Sequence, residues 1–153
     1  MSANRASLRL CVLSAVWVAA ACDPGRALQI RQPASPPGLG DCVAGALDQS
    51  ALVAFTERVP SGRVFRITLA DSALAWPWRH AQLALDEDHD VVSALELQYS
   101  WIGNDAPTEA ELREMASVGD MLMDELRRRC LPDVPRSSSC VVTNFISSDP
   151  CPT

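Results

Sequence analysis

The stretch VVSALELQYSW, residues 91–101, decides the fold class of this chain. Its side chains alternate between two sets, one mostly apolar and one polar or small. The first set is Val91, Ser93, Leu95, Leu97, Tyr99 and Trp101, and the second is Val92, Ala94, Glu96, Gln98 and Ser100. Alternation with a period of two is typical of a β-strand that buries one face. We therefore predict a strand in an antiparallel sheet that is covered on a single side.

Two segments upstream repeat this pattern. In HAQLALD (80–86), Ala81, Leu83 and Leu85 alternate with more polar residues, and in RVFRITL (63–69), Phe65, Ile67 and Leu69 do the same. The segment SALVAFTERV (50–59) fits either a continued helix or a short strand, and PSG (60–62) predicts a turn after it. The sheet is therefore expected to have three or four strands.

Helical patterns flank the strands. Thr108 and Glu111 match a capping box, and the residues that follow form an apolar stripe at three- and four-residue steps that ends at Arg127–Arg129. A shorter helix is predicted in DCVAGALDQS (41–50), with Asp41 as its N-cap. The predicted fold class is a small α+β domain over residues 41–131, in the order α-β-β-β-α, with both helices on one face of the sheet.

The cysteines predict disulfide staples. Four of the six, Cys42, Cys130, Cys140 and Cys151, lie after residue 40 and allow three pairings. Antiparallel helices would bring the start of the first to the end of the second, which favours Cys42–Cys130 together with Cys140–Cys151. The first bond would close a loop of nearly ninety residues and contribute about 4 kcal/mol.

The N-terminus reads as a signal peptide over residues 1–21. Arg5 and Arg9 precede an apolar run of twelve residues, 10–21, shorter than the roughly twenty that a membrane span requires. The sequence Ala19-Ala20-Ala21-Cys22 resembles the lipobox of bacterial lipoproteins, in which the cysteine is lipidated and becomes the new N-terminus. This resemblance covers residues 1–22. Plain cleavage after Ala21 and an uncleaved anchor are the alternatives.

The cysteine count favours lipidation. Cys11 leaves with the signal peptide, so plain secretion would leave five cysteines, an odd number, in an oxidising compartment. Lipidation of Cys22 leaves four that can pair. Residues 23–40 contain four prolines and three glycines, and we predict that they form a tether that reaches roughly 50 Å when extended. Residues 132–153 are predicted to form a Cys/Pro/Ser-rich tail.

The charge argues against nucleic-acid binding. All thirteen basic residues are arginines, and without Arg5 and Arg9 in the leader, 11 stand against 19 acidic residues, a net charge of −8. A phosphate-binding surface needs the opposite sign. The expected partners are a membrane, through the lipid, and an envelope protein.

Candidate sites are sparse. The run Asp86-Glu87-Asp88-His89-Asp90 starts like a calcium loop, but Val91 and Leu97 replace the glycine and glutamate that such a loop requires. An acidic hairpin turn is the simpler interpretation. The histidines, His80 and His89, have no nucleophile motif beside them, so we expect no catalysis, metal or cofactor.

Trp76-Pro77-Trp78 is the other notable motif. The two tryptophans are interpreted either as a cap on the small core or as an exposed aromatic patch that docks a partner, because tryptophan is enriched at interface hot spots.

The functional expectation is a lipid-anchored protein of the bacterial cell envelope that faces the periplasm or the cell exterior. It would bind another protein or support an envelope assembly without catalysis. The alternative is a secreted or anchored, disulfide-stabilised inhibitor or immunity-type protein whose loop between Cys140 and Cys151 docks a target.

Overall fold

A computed structural model of the chain describes residues 26–33, 38–60, 63–74, 77–88, 91–101, 106–143 and 148–152. These residues form seven strands and two helices. In chain order the elements are β1 (Arg26–Pro33), α1 (Leu39–Asp48), β2 (Val53–Arg58), β3 (Val64–Leu69), β4 (His80–Asp88), β5 (Val91–Trp101), α2 (Glu109–Cys130), β6 (Ser139–Thr143) and β7 (Ser148–Pro150).

The strands form one sheet in the order β2-β3-β4-β5-β1-β6-β7, and every neighbouring pair is antiparallel. The predicted α+β class and the antiparallel sheet are confirmed, and the ambiguous segment at 50–59 contains strand β2. The predicted number of strands is wrong, because the described sheet has seven rather than three or four.

The additional central strand lies where the sequence predicts a tether. β1 pairs with β5 on one side and β6 on the other, and its Leu28 and Ile30 are fully buried. Both side chains belong to the hydrophobic core. Pro33 stands at the strand end, where its missing N–H is tolerated. The prediction of a tether over residues 23–40 is therefore wrong for 26–33 and for 38–40, since Leu39 begins α1.

The predicted tail also belongs to the domain. β6 pairs with β1 and β7 pairs with β6, and Cys140 and Val142 pack against the core. The compact unit thus extends on both sides of the predicted limits of 41 and 131. Short strands carry too few residues for a clear alternation, which is why this pattern is weak in the sequence.

Both helices cover one face of the sheet, as the sequence predicts. Aligned positions on neighbouring strands, such as Phe65, Leu83, Leu97 and Ile30, are all buried on that face. At Gly119, α2 comes so close that an added β-carbon would meet the side chains of Ile30, Leu97 and Tyr99. The core lies between this face and the helices.

The two helix starts differ in how well the sequence predicts them. The Thr108–Glu111 capping box of α2 is present, with both of its reciprocal hydrogen bonds. Helix α1 starts earlier than predicted, because Gly38, with a φ of 74°, is its N-cap. Asp41 lies inside the first turn and pairs with Arg58 at 2.9 Å instead of capping the helix.

Two disulfides join Cys42 to Cys130 and Cys140 to Cys151, the pairs that the sequence favours. The first links the start of α1 to the last residue of α2. The second links β6 to the residue that follows β7. Within the described ranges, neither helix combines the length and apolar character needed to cross a membrane.

Candidate binding site on the helix-free face

The side of the sheet opposite the helices, here called the outer face, carries an aligned row of polar side chains. The row consists of Glu57, Arg66, Gln82, Gln98 and Gln29, one from each of five neighbouring strands. Since residues at the same register point to the same side of a sheet, these side chains form one band across the strands. Three of the five are amides.

The outer face is concave beside this row. A groove of about 340 Å³ is lined there by Phe55, Thr68, His80, Ser100 and most of the polar row. Binding sites generally combine such a concavity with a few polar groups that fix orientation. The groove is therefore the candidate functional site among the described residues.

Phe55 is the aromatic residue of the groove, and a bulge in β2 places it there. Val53 pairs with Leu69 and packs against the core, whereas Phe55 pairs with Thr68 on the outer face. Ala54 is the extra residue between them. Without it, the period of two would place Phe55 on the same face as Val53, towards the core. The bulge therefore redirects Phe55 to the surface, where it remains 61% exposed.

The bulge also changes which side chains of β2 face the core. Thr56 pairs with Ile67, which is buried. The Thr56 hydroxyl oxygen is buried and has no hydrogen-bond partner among the described residues. An unsatisfied buried hydroxyl costs about 1–3 kcal/mol. The register of β2 thus exposes a large apolar side chain and buries a polar one, which is the reverse of what stability favours.

Local pairs set the electrostatics of the groove. Arg66 Nη1 lies 3.4 Å from Glu57 Oε2, and both side chains are more than half exposed. Such a pair contributes at most about 1 kcal/mol to stability, but it leaves the polar row without net charge. The hydroxyl of Thr68 lies 3.2 Å from His80 Nδ1 and helps to orient the ring. The described lining includes one serine, Ser100, and no cysteine.

Trp78 belongs to a different part of the molecule. It is half-buried, its indole N–H donates to Glu111 Oε1 at 2.9 Å, and its ring meets that of Trp101 edge-on at 6.3 Å. It therefore ties the β3–β4 connection to the start of α2. These contacts favour the core-capping interpretation for Trp78, while Trp76 lies outside the described residues.

The same contacts act on Glu111. Its carboxylate accepts hydrogen bonds from the Thr108 backbone N–H, the Trp78 indole and the Thr108 hydroxyl, and these lower its pKa below the ordinary value. The carboxylate is thus a structural group of the helix start. It is also the group through which acid would loosen this end of the domain.

Several predicted sites cannot be located in the structure. Cys22, His89 and Asp90 lie outside the described residues, as do the side chains of residues 86–88. Within the part of the chain that is described, no three His, Cys, Asp or Glu side chains are grouped so that they could hold a metal ion. His80 is exposed on the outer face, where it lines the groove.

The sequence analysis does not identify the groove. Its alternation places Gln82 and Gln98 on the polar side of their strands, but a polar strand face is ordinary. Gln29 lies in the segment that the sequence analysis predicts to be a tether, although LQIRQ (28–32) alternates between apolar and polar residues. Nothing in the sequence marks the bulge at Ala54, so Phe55 could not be placed on the outer face.

Comparison of the chain with protein-family models, with curated proteins and with solved structures gives no match.

Proposed function

We propose that this protein is a non-enzymatic binding module of the bacterial cell envelope, held at a membrane by lipid on Cys22. In this proposal its outer-face groove recognises an extended polar segment of a partner protein. Phe55 anchors the segment, and the polar row provides hydrogen bonds to it.

The exposure of Phe55 carries the proposal. Two large apolar side chains are exposed among the described residues, Phe55 at 61% and Met121 at 49%. Met121 is an isolated exposed residue on the solvent-facing side of α2, away from the groove. Phe55, by contrast, borders a groove and reaches it through a bulge, and the neighbouring Thr56 hydroxyl has no hydrogen-bond partner among the described residues. A feature that opposes stability and places an aromatic residue beside a concavity is typical of a functional site.

The polar row suits a peptide. Each glutamine amide offers two donors and an acceptor, which match the C=O and N–H groups of an extended backbone. The Arg66–Glu57 pair leaves little net charge to attract an ionic ligand. β2 is also an edge strand, so one side of its backbone faces no other strand of the described sheet and can add a partner strand.

Selection from a displayed library of extended peptides tests the proposal. We expect the wild-type domain to enrich peptides whose binding is lost in Phe55→Ala and weakened in Gln82→Ala. Met121→Ala is the matched control, because it removes the other exposed apolar side chain on the opposite side of the molecule. Peptides that bind all three variants equally would overturn the proposed site. Binding of glycans but not peptides on an array would overturn the proposed ligand class.

The anchor is tested separately. The apolar leader and the sequence Ala-Ala-Ala-Cys at 19–22 support it. Metabolic labelling with a palmitate analogue should mark the wild-type protein but not Cys22→Ala. Equal labelling of both would contradict the anchor and leave the groove untouched.

The inhibitor or immunity-type alternative would place the docking surface between Cys140 and Cys151. Residues 144–147 of that loop lie outside the described residues. β6 pairs with the central strand β1, so deleting the C-terminal segment would disturb the sheet itself. Replacing 144–147 by Gly and Ser keeps both strands. Loss of partner binding in that variant, with binding retained in Phe55→Ala, would favour the alternative.

A further inference from the structure

The position of β1 determines how far from the membrane a lipid on Cys22 would hold the domain. β1 begins at Arg26 and is paired on both sides within the sheet. Three residues, 23–25, separate it from Cys22. The four residue steps from 22 to 26 span at most about 14 Å when fully extended, against the roughly 50 Å of an eighteen-residue tether.

The strand register defines which end of the domain this short segment holds. Arg26 is aligned with Trp101 at the end of β5, and Ala27 with Thr143 at the end of β6. The start of β4 and the end of β3 lie at the same end, because Thr68 pairs with His80. We call this the proximal end of the sheet. Helix α2 also starts there, where Glu111 meets Trp78.

We propose that the proximal end of the sheet rests against the lipid headgroups, so that the domain lies on the bilayer surface in one orientation. This inference rests on the proposed lipid anchor. The headgroup layer takes up roughly 6 Å on each side of a bilayer, so the first paired residue would stand within about 10 Å of the surface. The strands then run away from the membrane, and the partner is the lipid surface itself.

Charge supports this orientation. The last three residues of β4, Asp86–Asp88, are all acidic, and Asp88 lies eight residue steps from the start of the strand at His80. At about 3.3 Å per residue, the backbone of Asp86–Asp88 lies roughly 20 to 26 Å from the proximal end. That is several Debye lengths at physiological ionic strength, where one is about 8 Å. In the proposed orientation, the end of β4 that carries residues 86–88 thus lies beyond the reach of anionic headgroups.

The described acidic residues at the proximal end are Asp71, Glu109 and Glu111, and two of them are engaged locally. Asp71 there is paired with Arg79, and Glu111 is held in the capping box and by the Trp78 indole. The groove opens close to this end, since Thr68, His80 and Ser100 line it. A segment bound in the groove would therefore lie near the membrane.

Energy transfer from tryptophan to a dansyl-labelled lipid tests the orientation. Trp78 and Trp101 both lie at the proximal end, so they are suitable donors. The chain beginning at Cys22, with both disulfides formed, has one free thiol. It can be coupled to a maleimide lipid in vesicles of phosphatidylethanolamine and phosphatidylglycerol, whether or not cells lipidate it. We expect strong transfer, and a loss of most of it when eighteen Gly/Ser residues are inserted after Asp23.

A second attachment point provides the control. Asp133 is exposed just beyond the end of α2, at the opposite end of the domain, so Cys22→Ser combined with Asp133→Cys should give weak transfer. Equal transfer from the wild-type and insertion proteins, or from the two attachment points, would overturn the orientation. Because the coupling is chemical, that result would not bear on lipidation. Palmitate labelling decides the anchor independently.

Discussion

The backbone N–H of Ser137 donates a hydrogen bond of 3.2 Å to the side-chain oxygen of Gln32, although the two residues are 105 positions apart. The Gln32 side-chain amide nitrogen in turn donates to the carbonyl oxygen of Pro135, also at 3.2 Å. Gln32 is 2% exposed, so this polar side chain is buried with its partners supplied. Gln32 of β1 thus links the sheet, through two hydrogen bonds, to the segment between α2 and β6.

Replacing Gln32 by alanine should lower the free energy of unfolding by about 1–2 kcal/mol, because the hydrogen bonds to residues 135 and 137 are lost. Urea unfolding measures the change. Gln29→Ala is the matched control from the same strand on the outer face, and we expect a change of less than about 0.5 kcal/mol. Equal effects of the two substitutions would contradict a stabilising role for the hydrogen bonds between Gln32 and residues 135 and 137.

Two glycines in helices provide a contrast in packing. Gly119→Ala should be destabilising by about 1–3 kcal/mol, since the new methyl group would collide with Ile30 and press on Leu97 and Tyr99. A β-carbon at Gly45 of α1 would meet no atom within 4 Å. Gly45→Ala should therefore raise stability by up to about 1 kcal/mol through helix propensity. Thermal unfolding of both variants checks the prediction, and stabilisation by Gly119→Ala would contradict the close contact between α2 and the sheet.

The two disulfides should differ in their effect on stability. Cys42–Cys130 spans 88 residues and Cys140–Cys151 spans 11. In the chain-entropy model these loops correspond to about 4.6 and 2.8 kcal/mol. Replacing each pair by serines and measuring urea unfolding should therefore give the larger loss for the first pair. Titration of the denatured wild-type protein without reductant should release none of these four thiols, and release of all four would refute the pairing.

Acid should weaken the start of α2 through Glu111. Its native pKa is lowered, so the ionised form stabilises the fold. That contribution is complete above the unfolded pKa of about 4.3 and is lost as the pH falls through the lower native value. Glu111→Gln should be less stable than the wild-type protein at pH 7, and the difference should shrink towards pH 3. Urea unfolding across this range tests it, and a constant difference would contradict the assigned hydrogen bonds.

The parts of the fold that were predictable are those with strong local patterns. Leu95, Leu97 and Tyr99 alternate over a long strand, and the Thr108–Glu111 capping box marks the start of a 22-residue helix. β1 was missed because proline and glycine flank it and its apolar set is short. Its place is fixed by pairing with β5 and β6, which the local sequence does not encode.

The candidate site was less predictable than the fold. The outer face depends on the relative register of five strands, and Phe55 reaches it through an inserted residue in β2. The disulfide pairing could be predicted, because antiparallel packing of the two helices brings Cys42 to Cys130 and leaves Cys140 and Cys151 as the other pair.

Affinity for a peptide selected on the wild-type domain tests the central claim most directly. Calorimetric titration should show binding at least about tenfold weaker in Phe55→Ala than in the wild-type protein, equivalent to about 1.4 kcal/mol. Unfolding stability should be unchanged, because this side chain is exposed. Unchanged affinity in Phe55→Ala, with Met121→Ala as the parallel control, would contradict the account.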